Sequence, residues 1–154
     1  MDGEFLCEEF AYKSKAIGGG NFLILGDKID HVLKAAESAV LEMNKLKNII
    51  LPFPGGVVRS GSKVGSKYKS LIASTNSEYC PALKGIVKSK LSKGVNCVLE
   101  IVIDGLRFDD ISNAMTIGIK TIIKRKFPGI TEISAGNYGG KLGPHLFYLK
   151  EILK

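Results

Sequence analysis

Residues 51–69 have the composition of an anion-binding loop. They read LPFPGGVVRSGSKVGSKYK, in which prolines and glycines are followed by serines and cations. Proline fixes the backbone angle φ and lacks an amide proton, whereas the Gly55-Gly56 pair permits positive φ. Such a loop can turn sharply and expose successive amide N–H groups in a concave anion site. The alternative is a mobile surface loop made soluble by its lysines.

Serines and cations beside these glycines would strengthen an anion site. Hydroxyl groups and positive side chains bind phosphate and carboxylate through charge-assisted hydrogen bonds. The loop offers both kinds of group, at Ser60, Ser62, Ser66, Arg59, Lys63, Lys67 and Lys69.

A carboxylate inside an apolar strand is the second candidate for chemistry. Residues 95–104 read VNCVLEIVID, and their β-branched content predicts a strand. Side chains alternate across a strand, so one face is wholly apolar and should lie against helices: Val95, Cys97, Leu99, Ile101 and Ile103. Glu100 projects from the other face, between Val98 and Val102. Burial of a lone carboxylate raises its pKa, which suits a general acid or base. The alternatives are a hydrated face or a lysine partner on a neighbouring strand.

Two similar passages of chain position these candidates. The first has a strand at 21–26, a helix capped by Asp27 or Asp30 that runs to about residue 47, and a strand at 49–51. The second has the strand at 95–104, a helix capped by Asp109 and stopped by Pro128-Gly129, and a strand at 130–134. Each passage ends in a glycine-rich segment.

Two such βαβ units predict an α+β fold of the ferredoxin-like type, an antiparallel sheet with both helices on one face. The units span about residues 18–60 and 95–138 of a single domain, 1–154. Residues 61–94 insert a hairpin and a basic connector that could hold a short helix. Residues 1–12 are an extended lead-in, and residues 146–153 are a last strand or a docking helix. The other face of the sheet is left uncovered.

Composition restricts the function classes. The chain has 154 residues, 45% of them hydrophobic, which suits one compact domain. Its three widely spaced cysteines offer no disulfide framework and no paired metal motif, so a reducing cytoplasm is the simplest setting. No apolar run is long enough to cross a membrane. A net charge of +7 permits a nucleic-acid partner, but the aromatic residues are not interleaved with cations, so this partner ranks last.

Four segments together carry a resemblance to a known family. They are GGGNFLILGD, PFPGGVVRSGSK, VLEIVIDG and ISAGNYGGKLG, and their order and spacing are those of the C-terminal lobe of formylmethanofuran:tetrahydromethanopterin formyltransferase. The family's lobes are ferredoxin-like and assemble as cytoplasmic dimers or tetramers. Its members serve archaeal methanogenesis and related bacterial one-carbon pathways.

The resemblance implies transfer of a formyl group from methanofuran to a ring nitrogen of tetrahydromethanopterin, without a metal or bound cofactor. The family's proposed catalytic glutamate falls on Glu100. Such an acyl transfer passes through a tetrahedral intermediate, which needs a proton relay and a site for the oxyanion.

By motif position, the resemblance also implies a set of groups around the two coenzyme substrates. Backbone amides and polar side chains come from Gly55, Gly56, Ser60, Ser62, Asn137 and Tyr138. Partners for the coenzymes' anionic tails are Arg59, Lys63 and Lys141, with solvated side chains as the alternative for each cation.

The family's members are about twice as long as this chain, and their N-terminal lobe has no counterpart in it. This leaves two hypotheses. The chain is a formyltransferase acting as a homo-oligomer, or it is a catalytically silent lobe that binds the coenzymes or pairs with a separate N-terminal lobe.

Overall fold

A computed structural model describes residues 3–60, 76–137 and 143–154. Its elements in chain order are β1 (Ile17–Gly26), α1 (Ile29–Met43), β2 (Ile49–Ile50), β3 (Val58–Arg59), β4 (Cys97–Gly105), α2 (Phe108–Arg125), β5 (Ile130–Ser134) and α3 (Leu149–Ile152). Single 3₁₀ turns lie at Pro54–Gly56, Ser77–Tyr79 and Pro81–Leu83. Residues 3–16 form no regular element, in agreement with an extended lead-in.

The strands form one antiparallel sheet in the order β2-β4-β1-β5, with β3 also paired to β4. Both long strands are central, and each βαβ unit contributes one of them. This is the predicted ferredoxin-like arrangement. The strand after α1 is divided in two by the turn at Pro54–Gly56, because Pro52 and Pro54 have no amide proton to give to a sheet ladder.

The start of α1 differs from the prediction. Its N-terminal cap is Lys28, and no side chain makes a capping hydrogen bond there. Asp27 instead accepts a hydrogen bond from Nδ1 of His31 at 2.8 Å, and this contact lowers the pKa of Asp27. The predicted Asp27 or Asp30 cap is therefore wrong. The helix also ends at Met43, four residues before the predicted end.

The start of α2 also lies two residues before the predicted one. The cap position is Arg107, whose amide donates to Oδ2 of Asp110 at 3.1 Å. Asp109 lies inside the helix and is not the predicted cap. At the other end, Lys126 adopts the left-handed conformation (φ +50°) and ends the helix before Pro128. Strand β5 has the predicted bounds.

The main core lies between the sheet and the two long helices. Alternation correctly places Leu99, Ile101 and Ile103 on this side, where they pack with the buried faces of α1 and α2. Val95 is an exception, because it lies before β4 and packs on the opposite face of the sheet.

The opposite face of the sheet is not uncovered, contrary to the prediction. Four buried residues form a second cluster there: Leu23, Leu25, Val95 and Val98. Tyr79 and Leu91 pack against them. Both belong to residues 76–96, the irregular chain before β4, which we call the connector. We call this side, away from the two helices, the outer face.

The inserted segment and the tail have irregular sequence patterns. The predicted hairpin falls on residues 61–75, outside the described residues. The basic stretch at 84–93, where a short helix was a possibility, holds no helix. The tail forms the short helix α3, which docks on α2 through a 2.8 Å hydrogen bond from Oγ1 of Thr116 to the carbonyl of Ile152. Among the described helices, none is long and apolar enough to span a membrane.

Gly26, in the first βαβ unit, lies in close contact with Gly129 of the second. We expect a larger side chain at Gly26 to lower stability. A Cβ atom there would lie 2.6 Å from the carbonyl oxygen of Gly129 and 2.7 Å from Cγ2 of Val32. The Gly129 carbonyl cannot withdraw easily, since it accepts a hydrogen bond from the amide of Asp27. We expect Gly26→Ala to lower the free energy of unfolding by about 1–3 kcal/mol, the range for overpacking.

Urea unfolding followed by circular dichroism measures this effect. Gly143→Ala is the matched control, because nothing lies within 4 Å of a Cβ atom at Gly143 and its φ is not positive. Equal stability of the two variants would contradict the proposed close approach.

Candidate functional site

Glu100 lies in the middle of the outer face of the sheet. The register aligns it with Val58 on β3 and Leu23 on β1, and Leu23 in turn with Ser134 on β5. Its side chain is 7% exposed, so the face is not hydrated at this position. The predicted orientation is therefore confirmed, and the carboxylate is buried beside apolar neighbours.

Asn21 holds one oxygen of this carboxylate. Its Nδ2 donates a hydrogen bond to Oε1 of Glu100, and its own Oδ1 accepts the amide of Gly136 at 3.0 Å. The side chain of Asn21 is buried. A Cβ atom at Gly136 would lie 2.7 Å from Nδ2 of Asn21, so only glycine allows this approach without displacement.

Asn76 reaches the other oxygen of the carboxylate. Its Nδ2 lies 3.4 Å from Oε2 of Glu100, and the side chain is also buried. Asn76 opens the connector that covers part of the outer face. Both oxygens of Glu100 thus meet side-chain amides, one from β1 and one from the connector.

The arrangement can hold a carboxyl group in one orientation while its protonation changes. The two amides donate hydrogen bonds to the carboxylate, and burial strengthens each hydrogen bond electrostatically. A group with these properties suits proton transfer to and from a substrate placed over the outer face.

Sequence reasoning missed Asn21, Asn76 and Gly136. For Asn21 a signal was present, because it shares one face of the strand NFLILG with the apolar residues Leu23 and Leu25. A buried polar side chain needs a hydrogen-bond partner, and Glu100 on β4 lies diagonally across from Asn21. Asn76 lies in irregular chain, where no period gives its direction.

The predicted glycine pair lies on the helix side of the sheet. The amide of Gly56 donates to the carbonyl of Phe53 at 2.8 Å, so its proton already has an acceptor. A Cβ atom there would lie 2.9 Å from Val40 and 3.0 Å from Leu51, so Gly56 is packed against α1. Gly55 is exposed with positive φ and has open space around its Cα.

Arg59 and Ser60 point to opposite faces of the sheet. Arg59 pairs with Leu99 and therefore lies on the helix side, where its charge acts on the Cys97 thiol. Ser60 is buried and its amide donates to the carbonyl of Val98 at 3.3 Å. Of these two, Ser60 shares the outer face with Glu100.

Asn137 fastens two segments of chain to each other. Its Nδ2 donates to the carbonyl of Phe147 and its Oδ1 accepts the Phe147 amide, both at 2.9 Å. Phe147 stacks on Phe108 with ring centroids 4.5 Å apart. This pairing positions the two ends of the glycine-rich segment. The remaining predicted site residues, Ser62, Lys63, Tyr138 and Lys141, lie outside the described residues.

No described group of three or more His, Cys, Asp and Glu side chains is arranged to hold a metal ion. The described charges near the site are few, and the buried polar groups of the outer face are mainly amides and hydroxyls.

A sequence family described as "FTR, proximal lobe" matches residues 3–152. The chain belongs to this family. Curated relatives agree: it is 57% identical over 154 residues to formylmethanofuran--tetrahydromethanopterin formyltransferase of Methylococcus capsulatus and 46% identical over 158 residues to that of Methanocaldococcus jannaschii. These alignments cover 99% and 100% of this chain and 52% of each relative. The chain thus spans about half the length of the curated relatives it matches.

Solved structures give the same result for the fold. The formyltransferase from Methanosarcina barkeri superposes with a TM-score of 0.77 at 48% identity, covering 89% of this chain and 46% of that one. The formyltransferase/hydrolase complex (FhcABCD) from Methylorubrum extorquens, solved with methylofuran, superposes with a TM-score of 0.77 at 45% identity. This match covers 90% of this chain and 46% of that one. The predicted family resemblance is confirmed, in bacterial and archaeal relatives alike.

Asn21→Asp tests the contact that holds Glu100. The variant keeps the shape of the side chain but places a second carboxyl group beside the first, and two adjacent carboxylates raise the pKa of the pair. The folded variant then binds a proton that the unfolded chain releases, so its stability falls as pH rises. We expect a loss of about 3 kcal/mol at pH 8 and a smaller loss at pH 5.

Urea unfolding at the two pH values measures the difference from the unmodified chain. Asn113→Asp, at an exposed position of α2, is the control and should change stability by no more than about 0.5 kcal/mol at either pH. A pH-independent loss in Asn21→Asp would show that the new carboxyl group does not interact with Glu100.

Proposed function

We propose that this lobe takes part in the transfer of a formyl group from formylmethanofuran to tetrahydromethanopterin, with Glu100 as the general acid and base. The observation that carries the proposal is the buried carboxylate of Glu100, oriented by Asn21 on the outer face. The names of the relatives supply the two coenzymes, which are the substrates proposed for this chain.

The reaction moves an acyl group between two nitrogen atoms. The ring nitrogen of the acceptor attacks the formyl carbon, a C–N bond forms, and the carbonyl oxygen becomes an oxyanion. The C–N bond to the donor nitrogen then breaks, and the carbonyl re-forms. One proton has to leave the attacking nitrogen and one has to reach the departing nitrogen.

Glu100 can carry that proton with little movement. As a carboxylate it accepts the proton from the attacking nitrogen, and as a carboxylic acid it delivers the proton to the departing nitrogen. Because Asn21 and Asn76 each reach one of its oxygens, the side chain keeps its position through both steps. Preorganisation of this kind avoids the cost of reorienting the group during the reaction.

The substrate contacts remain part of the proposal. Ser60 is supported by its place on the same face as Glu100. Gly56 and Asn137 make internal contacts, so we assign them to positioning, whereas Gly55 and Arg59 are exposed on other surfaces than that of Glu100. Residues 1–154 are proposed as one lobe, located in the cytoplasm, that assembles with further copies or a partner lobe.

A second candidate function is supported by the exposed apolar side chains of Phe5, Leu6, Phe10 and Tyr12. In this proposal the lobe binds the coenzymes or pairs with a separate lobe, and transfer does not occur on this chain alone.

Glu100→Gln tests the first candidate. Glutamine keeps the size and, with its oxygen toward Asn21, the hydrogen bond to that amide, but it cannot exchange a proton, so the loss should appear mainly in kcat. We expect kcat to fall by about 10²–10⁴-fold, the usual contribution of general acid–base catalysis. The assay follows formyl transfer by the purified chain, with each coenzyme's binding measured by calorimetry.

Glu37→Gln is the matched control, because Glu37 is exposed on α1 on the helix side of the sheet. Turnover that is equal in the Glu100 and Glu37 variants would remove Glu100 from the chemistry. Coenzyme binding without any turnover by the unmodified chain would favour the second candidate over the first.

A further inference from the structure

Strand β5 has an open edge. In the described part of the chain the sheet ends with this strand, and no described strand pairs with its outer side. An open edge presents amide and carbonyl groups that another extended segment can meet by forming a further strand. Thr131, near the middle of β5, is exposed.

A groove of about 310 Å³ follows this edge. Both Glu132 and Ile133 line it, although Glu132 pairs with Leu25 of the outer face and Ile133 pairs with Ile24 of the helix side. The groove therefore runs along the edge of the strand rather than over one face. Its other wall is the end of α2, with the lining residues Ile122, Ile123, Lys126 and Phe127. The site is mainly apolar, and Ile123 is 59% exposed.

The lead-in segment, residues 3–16, is an extended chain that is exposed throughout. It holds four large apolar side chains with exposed fractions from 63% to 91%: Phe5, Leu6, Phe10 and Tyr12. Apolar area concentrated in this way on a surface marks a contact with a partner. In an extended conformation Leu6, Phe10 and Tyr12 share one side of the segment, so a strand formed by it can direct three apolar side chains into one groove.

The charges of the lead-in segment and of the groove are complementary. Residues 4–9, EFLCEE, contain three glutamates and no cation. On the groove side, Lys126 is a lining residue and Lys124 is exposed beside it at the end of α2. These two lysines outnumber Glu132, the acidic residue of the lining.

The topology favours a contact between copies over one within a chain. Strand β1 begins at Ile17 and is antiparallel to β5, so the lead-in segment leaves the sheet at the end where Ser134 closes β5. To reach the outer edge of its own β5 it would have to reverse and cross the chain that leaves this strand, and connections rarely cross in this way. Because the segment and the groove occur on the same chain, two copies can exchange them about a two-fold axis.

The available area is sufficient for a dimer. An aromatic side chain can bury about 150–250 Å², so the three of each lead-in segment bring up to roughly 900–1,500 Å² from two copies. The grooves that receive them lose a comparable area, whereas a stable interface needs about 1,200–2,000 Å² in total. Partial insertion of the aromatic side chains is therefore enough.

We propose that the lead-in segment of one copy pairs with the open edge of β5 in a second copy and places its apolar side chains in the groove beside α2. The inference deepens the assembly of copies that forms part of the proposed function. It requires neither a coenzyme nor turnover, so its test is made without them and its outcome is separate from that of the transfer assay.

Sedimentation equilibrium of the full chain measures this assembly, and we expect a reversible dimer. Ile123→Asp places a charge in the apolar groove and should weaken the dimer at least about tenfold. Leu41→Asp is the matched control, since Leu41 is 58% exposed on α1, and it should leave the dimer unchanged. Equal dissociation constants for the two variants would overturn the proposal. A chain that stays monomeric up to its solubility limit would also overturn it and would leave a separate lobe as the partner of the lead-in segment.

Phe10→Ser tests the same contact from the other side. Phe10 is exposed in the single copy, so the variant should keep the urea midpoint of the monomer and still weaken the dimer about tenfold. Ile86→Ser, at a position 77% exposed in the connector, is its control. A dimer that is equally strong in both serine variants would remove the lead-in segment from the interface.

A mixture of two variants decides whether the contact is made between copies. Ile123→Asp keeps an intact lead-in segment, and Phe10→Ser keeps an intact groove. A contact damaged on either side is lost, so each variant alone loses both contacts of the dimer, whereas a heterodimer loses only one. We expect native mass spectrometry, with one variant isotope-labelled, to show a heterodimer where each variant alone is monomeric. A mixture without heterodimer would contradict exchange of the segment between copies.

Discussion

The buried bond between Asn21 and Glu100 constrains the rest of the outer face. An ionised carboxylate without donors is too costly to bury in apolar surroundings, by several kcal/mol. Asn21 satisfies one oxygen and is itself held by the Gly136 amide. The register of β1 against β4 and of β1 against β5 has to remain fixed for both contacts, so the sheet cannot slip without exposing the carboxylate.

This bond also links the two βαβ units. Asn21 belongs to the first unit, while Glu100 and Gly136 belong to the second. The helix side is joined by ordinary apolar packing, which tolerates substitutions that conserve volume. The outer face combines an apolar cluster with a few directed hydrogen bonds, and those hydrogen bonds do not tolerate such substitutions. A volume-conserving substitution in the helix-side core can therefore leave the contacts of Glu100 in place, whereas a substitution of Asn21 changes both stability and the site.

The periodicity of hydrophobic residues and the positions of proline and glycine predicted much of the fold and part of the site. Alternation in the strand VNCVLEIVID gave the direction of Glu100, and Pro128-Gly129 marked the return into β5. Long-range contacts were beyond such patterns. The bond from Asn21 to Gly136 joins residues 115 positions apart and depends on register. The caps were wrong because several acidic residues crowd each helix start, and His31 draws Asp27 away from capping.

The connector before β4 shows why the outer face could not be derived from the sequence. In a ferredoxin-like sheet the helices cover one face, so anything built on the other must come from irregular chain. Irregular chain has no hydrophobic periodicity, so the sequence does not show which of its side chains will pack on the sheet. Here it brings Asn76 to Glu100 and seats Leu91 on the second cluster. The same segment places Leu83 in the wall of a cleft of about 760 Å³ beside β3 and β4, so it both shields the carboxylate and shapes the neighbouring surface.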